Sequence, residues 1–287
     1  MNAVEAELEL EPVRRRSALW RRARRSPALL AGAVIIGLIV AAAALAPVLS
    51  PAPPNQQDLF HVLGGFSSQH PLGTDELGRD ELSRLLYGAR TDLRVGVVAI
   101  LFPFFFGTAV GTIAGFYGGV VDAVTMRIVD VVIAFPFYVL VIGLVFVIGP
   151  GIRGIYLAFA VVDWVIYARA IRSTTLVVRD SDYVAAARGA GLSDLRVLTR
   201  HVLPNTVNQA IVYAMNDIVL VIVAVVTLGY LGLGVQPPTA DWGTMISAGQ
   251  DFLTTNWTLA TIPGLAVVVT GLGLSLIGDG LATVLRP

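Results

Sequence analysis

Long apolar blocks separated by polar segments run along the chain, and their lengths predict membrane-spanning helices. A helix needs about 20 mostly apolar residues to cross a hydrocarbon core of about 30 Å. Six blocks meet or nearly meet this length, at roughly 28–49, 93–115, 129–149, 152–171, 210–234 and 259–284. The pattern therefore predicts an all-α integral membrane protein with six transmembrane helices.

The polar segments divide the chain into predicted parts. Residues 1–27 form an N-terminal tail. Residues 28–49 form the first transmembrane helix, which we interpret as a retained anchor because it is too long for the apolar region of a typical signal peptide. Residues 50–92 form a loop beyond the membrane, and residues 93–287 form a core of five further transmembrane helices that contains a polar loop at 173–209.

The end of the 50–92 loop carries apolar residues at helical spacing, with arginines on the remaining face. This spacing predicts an amphipathic helix lying on the outer membrane surface. Its apolar residues are Leu82, Leu85, Leu86, Ala89 and Leu93. We expect the helix either to cover the bundle or to contribute to docking of a partner.

The distribution of arginine predicts which side of the membrane each loop occupies. Cytoplasmic loops next to spanning helices carry an excess of basic residues. With the N-terminus inside, 15 of the 20 arginines fall on the cytoplasmic side and five on the opposite side. Six spans then place both termini and the 173–209 loop in the cytoplasm.

Composition removes several classes of function. The chain is 55% hydrophobic and contains no cysteine, which excludes disulfides and thiolate chemistry. It also lacks the lysine of a Walker-type phosphate-binding loop, so this chain is not its own ATPase. A net charge of zero argues against a nucleic-acid partner. No catalytic set stands out, and no metal site is predicted because the histidines are scattered, at His61, His70 and His201.

The polar segment 182–205, DYVAAARGAGLSDLRVLTRHVLPN, lies between two spans, and its capping residues predict two short helices. Asp182 is favourable at a helix start, and Gly191 follows the end of the first helix. Ser193 begins the second helix. Pro204 is expected to end it, because the residue before a proline disfavours the α region. The apolar positions of the second helix are Leu195, Val197, Leu198 and Val202.

This segment resembles the cytoplasmic coupling loop of bacterial ABC import permeases. That loop has the pattern E-A-A, three residues, G, nine residues, I-x-L-P, and its spacing fits from Ala185 to Pro204 without a gap. Alanine stands at position 185, where the family often has glutamate. The resemblance implies a type I ABC importer permease fold in which this loop receives motion from an ATPase. The implied coupling residues are Ala185, Ala186, Ala187, Arg188, Gly191, Arg196, Arg200, Leu203 and Pro204.

Two further stretches narrow the resemblance to one branch of these permeases. They are HPLGTDELGRDELSRLLYGARTDLRVG at 70–96 and LGYLGLGVQPPTADWGTMI at 228–246. Both resemble signatures of permeases that move dipeptides, oligopeptides and sometimes nickel. An N-terminal span followed by a long outer loop resembles the C-type subunit. The resemblance implies an importer subunit for di- or oligopeptides in the bacterial inner membrane. Nickel or another small solute stays open as the cargo. A stand-alone secondary transporter stays open as an alternative class of protein.

The same resemblance implies a set of partners. A homologous B-type permease would form the other half of the pathway, and an extracytoplasmic binding protein would deliver the substrate. Two cytoplasmic ATPase domains or subunits would bind ATP and Mg²⁺, so we expect no cofactor in this chain. The residues considered for contact with the binding protein, with internal packing as the alternative, are Asp75, Arg79, Asp80, Asp241 and Trp242.

Acidic residues within the predicted spans are candidates for the translocation pathway. Charged groups at that depth are costly and usually face a cavity or a partner. Asp163 lies near the middle of the fourth span, and Asp217 lies nearer one end of the fifth. For Asp163 we expect a place on the pathway or pairing between helices, whereas a stand-alone carrier would use such carboxylates as proton relays.

Overall fold

A computed structural model describes residues 22–285, a range that consists of helices and loops without a β-strand. Most of the predicted N-terminal tail lies outside the described residues. The α-helices are α1 (Pro27–Ala44), α2 (Ala46–Leu49), α3 (Glu81–Tyr117), α4 (Gly119–Ile133), α5 (Phe137–Ile148), α6 (Ile152–Val162), α7 (Trp164–Arg179), α8 (Asp182–Gly189), α9 (Asp194–Val197), α10 (Leu203–Tyr230), α11 (Trp242–Gly249) and α12 (Thr258–Leu285). A π-helical turn forms at Leu198–Val202 and a 3₁₀ turn at Gln250–Phe252.

The long apolar helices confirm an all-α protein with several membrane spans. Five stretches in the described range are long and apolar enough to cross a membrane, and a bent pair of helices would make a sixth. The five are α1, α3, α6 with α7, α9 with α10, and α12, while α4 and α5 form the bent pair. The cytoplasmic placement of both termini stays a prediction.

The predicted span at 129–149 is sharply bent in the structure. The helices α4 and α5 meet at an angle of 85°. The break falls at residues 134–136, where Pro136 lacks a backbone N–H and disfavours the α region for the residue before it. With 12 residues, α5 is about 18 Å long, too short to cross a bilayer core alone.

The amphipathic helix predicted at the end of the 50–92 loop is the first part of a longer helix. These residues belong largely to α3, a continuous helix of 37 residues that begins at Glu81 and contains Pro103. Asp80 caps its first turn by accepting the Ser83 N–H at 2.7 Å. At about 55 Å, the helix exceeds the hydrocarbon core. Its first turns are thus an extension of a spanning helix beyond the membrane.

A stripe of glycines brings α3 and α7 into close contact. Gly107, Gly111 and Gly115 recur every fourth residue on one face of α3. A Cβ atom at Gly107 would lie 2.4 Å from the Trp164 carbonyl oxygen, and one at Gly111 would lie 2.4 Å from that of Ala168. Small residues at such spacing let spanning helices approach closely. The helix that leads into the 182–205 segment is therefore held against α3 along its length.

The second helix of the 182–205 segment does not end at Pro204, so that prediction is wrong. The α9 helix passes through the π-helical turn directly into α10, and Pro204 occupies the first turn of α10. Leu203, which precedes the proline, has α-helical angles, with φ −54° and ψ −45°. The wider π-helical turn lies where an ordinary helix would clash with the proline ring. Residues 194–230 therefore form one continuous helical stretch.

Candidate functional site: a coupling surface, an outer clamp and a buried carboxyl pair

The 182–205 segment has its own small apolar core, separate from the core between the spanning helices. Phe116, at the end of α3, lies in this core and is only 3% exposed. The other buried members are Val184, Ala187, Val197, Leu198 and Val202. The segment is therefore a packed unit seated on the end of α3 rather than a loose connector.

A Schellman motif fixes the turn between α8 and α9. The Leu192 N–H donates to the Ala187 carbonyl at 3.2 Å, and the Gly191 N–H donates to that of Arg188 at 2.9 Å. Gly191 adopts a φ of +80°, a region that glycine enters without the penalty of a side chain. Nothing lies within 4 Å of a Cβ added at Gly191, so the outer side of this turn is open.

Most of the predicted coupling residues are exposed on this unit. Ala187 is the exception, because it faces the small core at 9% exposure. Leu203 is half-buried. The exposed members are Ala185, Ala186, Arg188, Gly191, Arg196, Arg200 and Pro204. We call these seven residues, together with Tyr183 and Leu195, the coupling surface.

Tyr183 and Leu195 are two large residues that the sequence-based prediction did not place on this surface. Leu195 was expected to pack inside, but its exposure is 66%, and that of Tyr183 is 46%. Large apolar side chains exposed on a polar segment indicate a contact surface. The residue types alone do not separate exposed Tyr183 from buried Val184, so the sequence carried no clear signal for Tyr183.

The arginines of the coupling surface differ in whether they contact other residues of the chain. The Arg188 guanidinium lies 4.9 Å from the centre of the Phe116 ring and 3.9 Å from Asp194, so it ties α8 to α3 and α9. Arg196 and Arg200 make no ion pair with other described residues and are exposed. They are therefore the arginines that are open to an acidic partner.

The five residues considered for contact with a binding protein are buried or largely buried, which favours internal packing, the alternative expected for them. Asp75 accepts from Arg79 Nε at 2.6 Å and lies 3.6 Å from Arg84 Nε. Asp80 accepts from His70 Nδ1 at 2.9 Å besides capping α3. These charges satisfy one another inside the 70–96 stretch, where unpaired burial would be costly.

The other two residues, Asp241 and Trp242, join the outer ends of the helices and define what we call the outer clamp. The Trp242 side chain is 1% exposed, and its Nε1–H donates to the Leu85 carbonyl at 3.1 Å. Its backbone N–H donates to Asp92 Oδ2 at 2.9 Å. A Cβ added at Gly88 would lie 2.9 Å from the Trp242 ring. The signature around 241–242 thus has a packing role.

Substitutions of Asp241 are expected to separate its capping role from its charge. Asp241 caps α11 by accepting the Thr244 N–H at 3.1 Å. Asp241→Ala should lower the free energy of unfolding by about 1–2 kcal/mol, whereas Asp241→Asn keeps an oxygen acceptor and should cost less. Thermal unfolding of the purified protein measures both. Equal losses in the two variants would contradict the capping role.

The pH dependence gives a second readout of the same site. Burial raises the pKa of Asp241, although hydrogen bonds from Thr244 oppose the rise. The folded state therefore binds the proton more tightly than the unfolded state, in which the pKa of an aspartate is about 3.9. The contribution of Asp241 to the free energy of unfolding must therefore fall as the pH rises from the unfolded-state pKa through the raised pKa of the folded state. Asp241→Asn is expected to flatten this part of the stability profile.

Asp163 and Asp217 lie together inside the chain. Asp163 is 1% exposed at the junction of α6 and α7, and Asp217 is 3% exposed on α10. Their carboxyl groups are within hydrogen-bonding reach of each other. The Tyr167 hydroxyl donates to Asp217 Oδ2 at 2.8 Å. This geometry is that of pairing between helices, the alternative expected for Asp163, and it leaves neither carboxyl on an open surface.

The fold and these sites define a multi-pass membrane permease with a packed polar unit seated between two spans. A family model described as "Binding-protein-dependent transport system inner membrane component" matches residues 107–287, and one described as "N-terminal TM domain of oligopeptide transport permease C" matches residues 16–71. The chain belongs to this family of ABC transporter permeases, with the C-type N-terminal domain, and is a multi-pass inner membrane protein.

Several curated proteins are similar over nearly the whole chain. The "Dipeptide transport system permease protein DppC" of Alkalihalophilus pseudofirmus is 35% identical, with 93% of this chain and 90% of that protein covered. The "Di/tripeptide transport system permease protein DppC" of Pseudomonas aeruginosa is 36% identical with the same coverage. The "Glutathione transport system permease protein GsiD" of Pectobacterium atrosepticum is 37% identical over 93% of this chain and 89% of its own length.

Proposed function

We propose that this chain is the C-type permease subunit of an ATP-driven importer of di- or oligopeptides. The cargo follows from the relatives, whose names specify dipeptides, di- and tripeptides, and glutathione, itself a peptide. In this proposal, a homologous B-type permease completes the pathway, and an extracytoplasmic binding protein delivers the peptide. ATP and Mg²⁺ bind to two partner ATPase domains or subunits, and this chain catalyses no reaction itself.

The observation that carries the proposal is the coupling surface on its small core. Tyr183 and Leu195 project from a packed unit, and the small side chains of Ala185 and Ala186 between them let another surface approach closely. A short helix presenting a few large anchors among small residues suits docking into a groove. Arg196 and Arg200 add positive charge for acidic groups on the partner. We therefore infer that the ATPase docks on this surface.

Co-purification of the ATPase with the assembled importer tests this docking. Leu195→Arg places a charge in the centre of the proposed contact and should reduce the retained ATPase by about tenfold or more. Gly191→Trp adds a large side chain where φ is +80° and should abolish peptide-stimulated ATP hydrolysis. Both follow from a close-fitting contact that tolerates neither charge nor bulk.

Leu59→Arg provides a matched control. Leu59 is also highly exposed, at 71%, but it lies in the 50–92 loop on the predicted opposite side of the membrane. This variant should retain the ATPase like the wild type. Normal peptide uptake and ATPase retention in both Leu195→Arg and Gly191→Trp would refute the assignment of the coupling surface.

A further inference from the structure

The two helices that flank the 182–205 segment are joined at one polar point inside the membrane. The α7 helix leads into this segment, and α10 leads out of it. Asp163 lies at the start of α7, and Tyr167 lies one turn further along it. Both meet Asp217 of α10. The polar contact therefore links the two helical stems of the coupling unit at a distance from the unit itself.

One oxygen in this contact has no hydrogen-bond donor. Asp163 Oδ2 is buried and without a partner, whereas Asp217 Oδ2 accepts from Tyr167. A buried carboxylate oxygen without a donor is unfavourable, and two ionised carboxylates side by side repel each other as well. The Asp217 carboxyl is within hydrogen-bonding reach of Asp163, but it supplies a hydrogen bond only when one of the two is protonated.

The surroundings offer no other compensation for two negative charges. The titratable groups that face the pair are Tyr167 from α7 and Tyr213 from α10, whose rings lie 5.0 Å apart. On the α3 side, the Phe104 ring contacts Tyr167 at 6.0 Å. No basic side chain acts on either carboxyl in the described part of the chain.

We propose that Asp163 and Asp217 hold one proton between them and that this proton ties α7 to α10, so that the two stems of the coupling unit move together. The ligand of this site is a proton, and Asp163 is a positioning residue rather than a contact for peptide. Loss of the proton would leave two adjacent carboxylates, whose repulsion would separate the stems. The link to transport rests on the proposed function, whereas the proton itself does not.

Peptide uptake by the complete importer in proteoliposomes, measured from about pH 7 to about pH 10, tests the consequence, since alkaline solution favours loss of a proton that two carboxyls share. Wild-type uptake is expected to fall about tenfold or more toward the alkaline end. Asp163→Asn carries its own N–H donor in place of the shared proton. Peptide uptake by this variant should therefore change less than about twofold across the same pH range. Asp163→Leu removes the link and should be impaired at every pH. A parallel alkaline fall in wild type and Asp163→Asn would overturn the proposal.

Infrared spectroscopy of the purified permease complex tests the proton without any transport. The wild type should show the carbonyl stretch of a protonated, buried carboxyl that is missing from both Asp163→Asn and Asp217→Asn, so a carboxyl band should appear in each wild-type-minus-variant difference spectrum. The subtraction removes the bands of other buried carboxyls such as Asp241. Replacing sodium ions with choline should leave the difference band unchanged. Difference spectra without a carboxyl band, or a band that sodium abolishes, would refute a shared proton. If the complex transports no peptide, this measurement still decides whether the proton site exists.

Discussion

Gly111→Leu is expected to prevent assembly of the folded subunit. A Cβ atom at this position would lie 2.4 Å from the Ala168 carbonyl oxygen and 3.0 Å from the Ala168 Cα. Both are backbone atoms of α7, so a side-chain rotation cannot relieve the clash. Overpacking of a filled interior costs about 1–3 kcal/mol even where side chains can adjust. The expected result is a loss of most detergent-extractable, monodisperse protein, measured by size-exclusion chromatography and thermal unfolding.

Gly143→Leu is the matched control for that substitution. Gly143 is also a helical glycine in an apolar helix, α5, but nothing lies within 4 Å of a Cβ built there. Leucine is a better helix former than glycine by nearly 1 kcal/mol. This variant should therefore fold as well as the wild type. If both variants gave the same yield and melting temperature, close contact between α3 and α7 would not be the reason for the glycine stripe.

Trp242→Ala should produce the second large effect. The substitution empties a fully buried indole site against Gly88 and removes the hydrogen bond to the Leu85 carbonyl. Truncation of a buried tryptophan costs about 3–5 kcal/mol. We expect a melting temperature lowered by many degrees and low amounts of the protein in membranes. A variant that kept wild-type stability but lost binding-protein contact would instead support the docking role that burial argues against.

Trp242→Phe separates the size of the ring from its hydrogen bond. Phenylalanine fills most of the same space but cannot donate to the Leu85 carbonyl, and the loss should be nearer to about 1–2 kcal/mol. The backbone N–H that donates to Asp92 is present in both variants. A cost in Trp242→Phe as large as that in Trp242→Ala would show that the hydrogen bond, not the packing, stabilises the outer clamp.

The apolar pattern predicted most of the membrane architecture because length and hydropathy alone decide whether a helix can span. It did not give the size of the bend at 129–149, where apolar residues run through the break at Pro136. Hydropathy does not report the backbone angle that a proline imposes. It also placed a boundary at the start of the 93–115 span, although α3 continues without interruption from Glu81. A change from polar to apolar residues need not end a helix.

The coupling segment was recognised from spacing, but the faces of its helices were only partly predictable. Apolar spacing placed Leu195 with Leu198 and Val202, as in an α-helix. The π-helical turn at 198–202 shifts Val202 toward the side of Val197, and Leu195 then lies outside the buried arc. A sequence pattern cannot reveal such a turn in advance. For the same reason Pro204, read as a stop, lies inside a helix.

The sequence left two roles open for the charged residues of the outer region. Asp75, Arg79 and Asp80 were considered for contact with a binding protein, with internal packing as the alternative. In the fold they satisfy one another and the first turn of α3. Mutual pairing of this kind depends on contacts between residues that sequence alone does not bring together. Asp163 was anticipated more closely, because a charge within a span needs a partner wherever it lies.

The continuity of α9, the π-helical turn and α10 has a mechanical consequence. Residues 194–230 make a rod of 37 residues, about 55 Å long, with the coupling surface at one end. Tilting such a rod by about 10° around its midpoint displaces each end by about 5 Å in opposite directions. A displacement of the end that carries the coupling surface would then move the opposite end of the rod by a similar distance in the opposite direction. The π-helical turn at Leu198–Val202 interrupts the regular α-helical hydrogen bonds of this rod next to the coupling surface, so a change of angle between α9 and α10 would alter how far the far end moves.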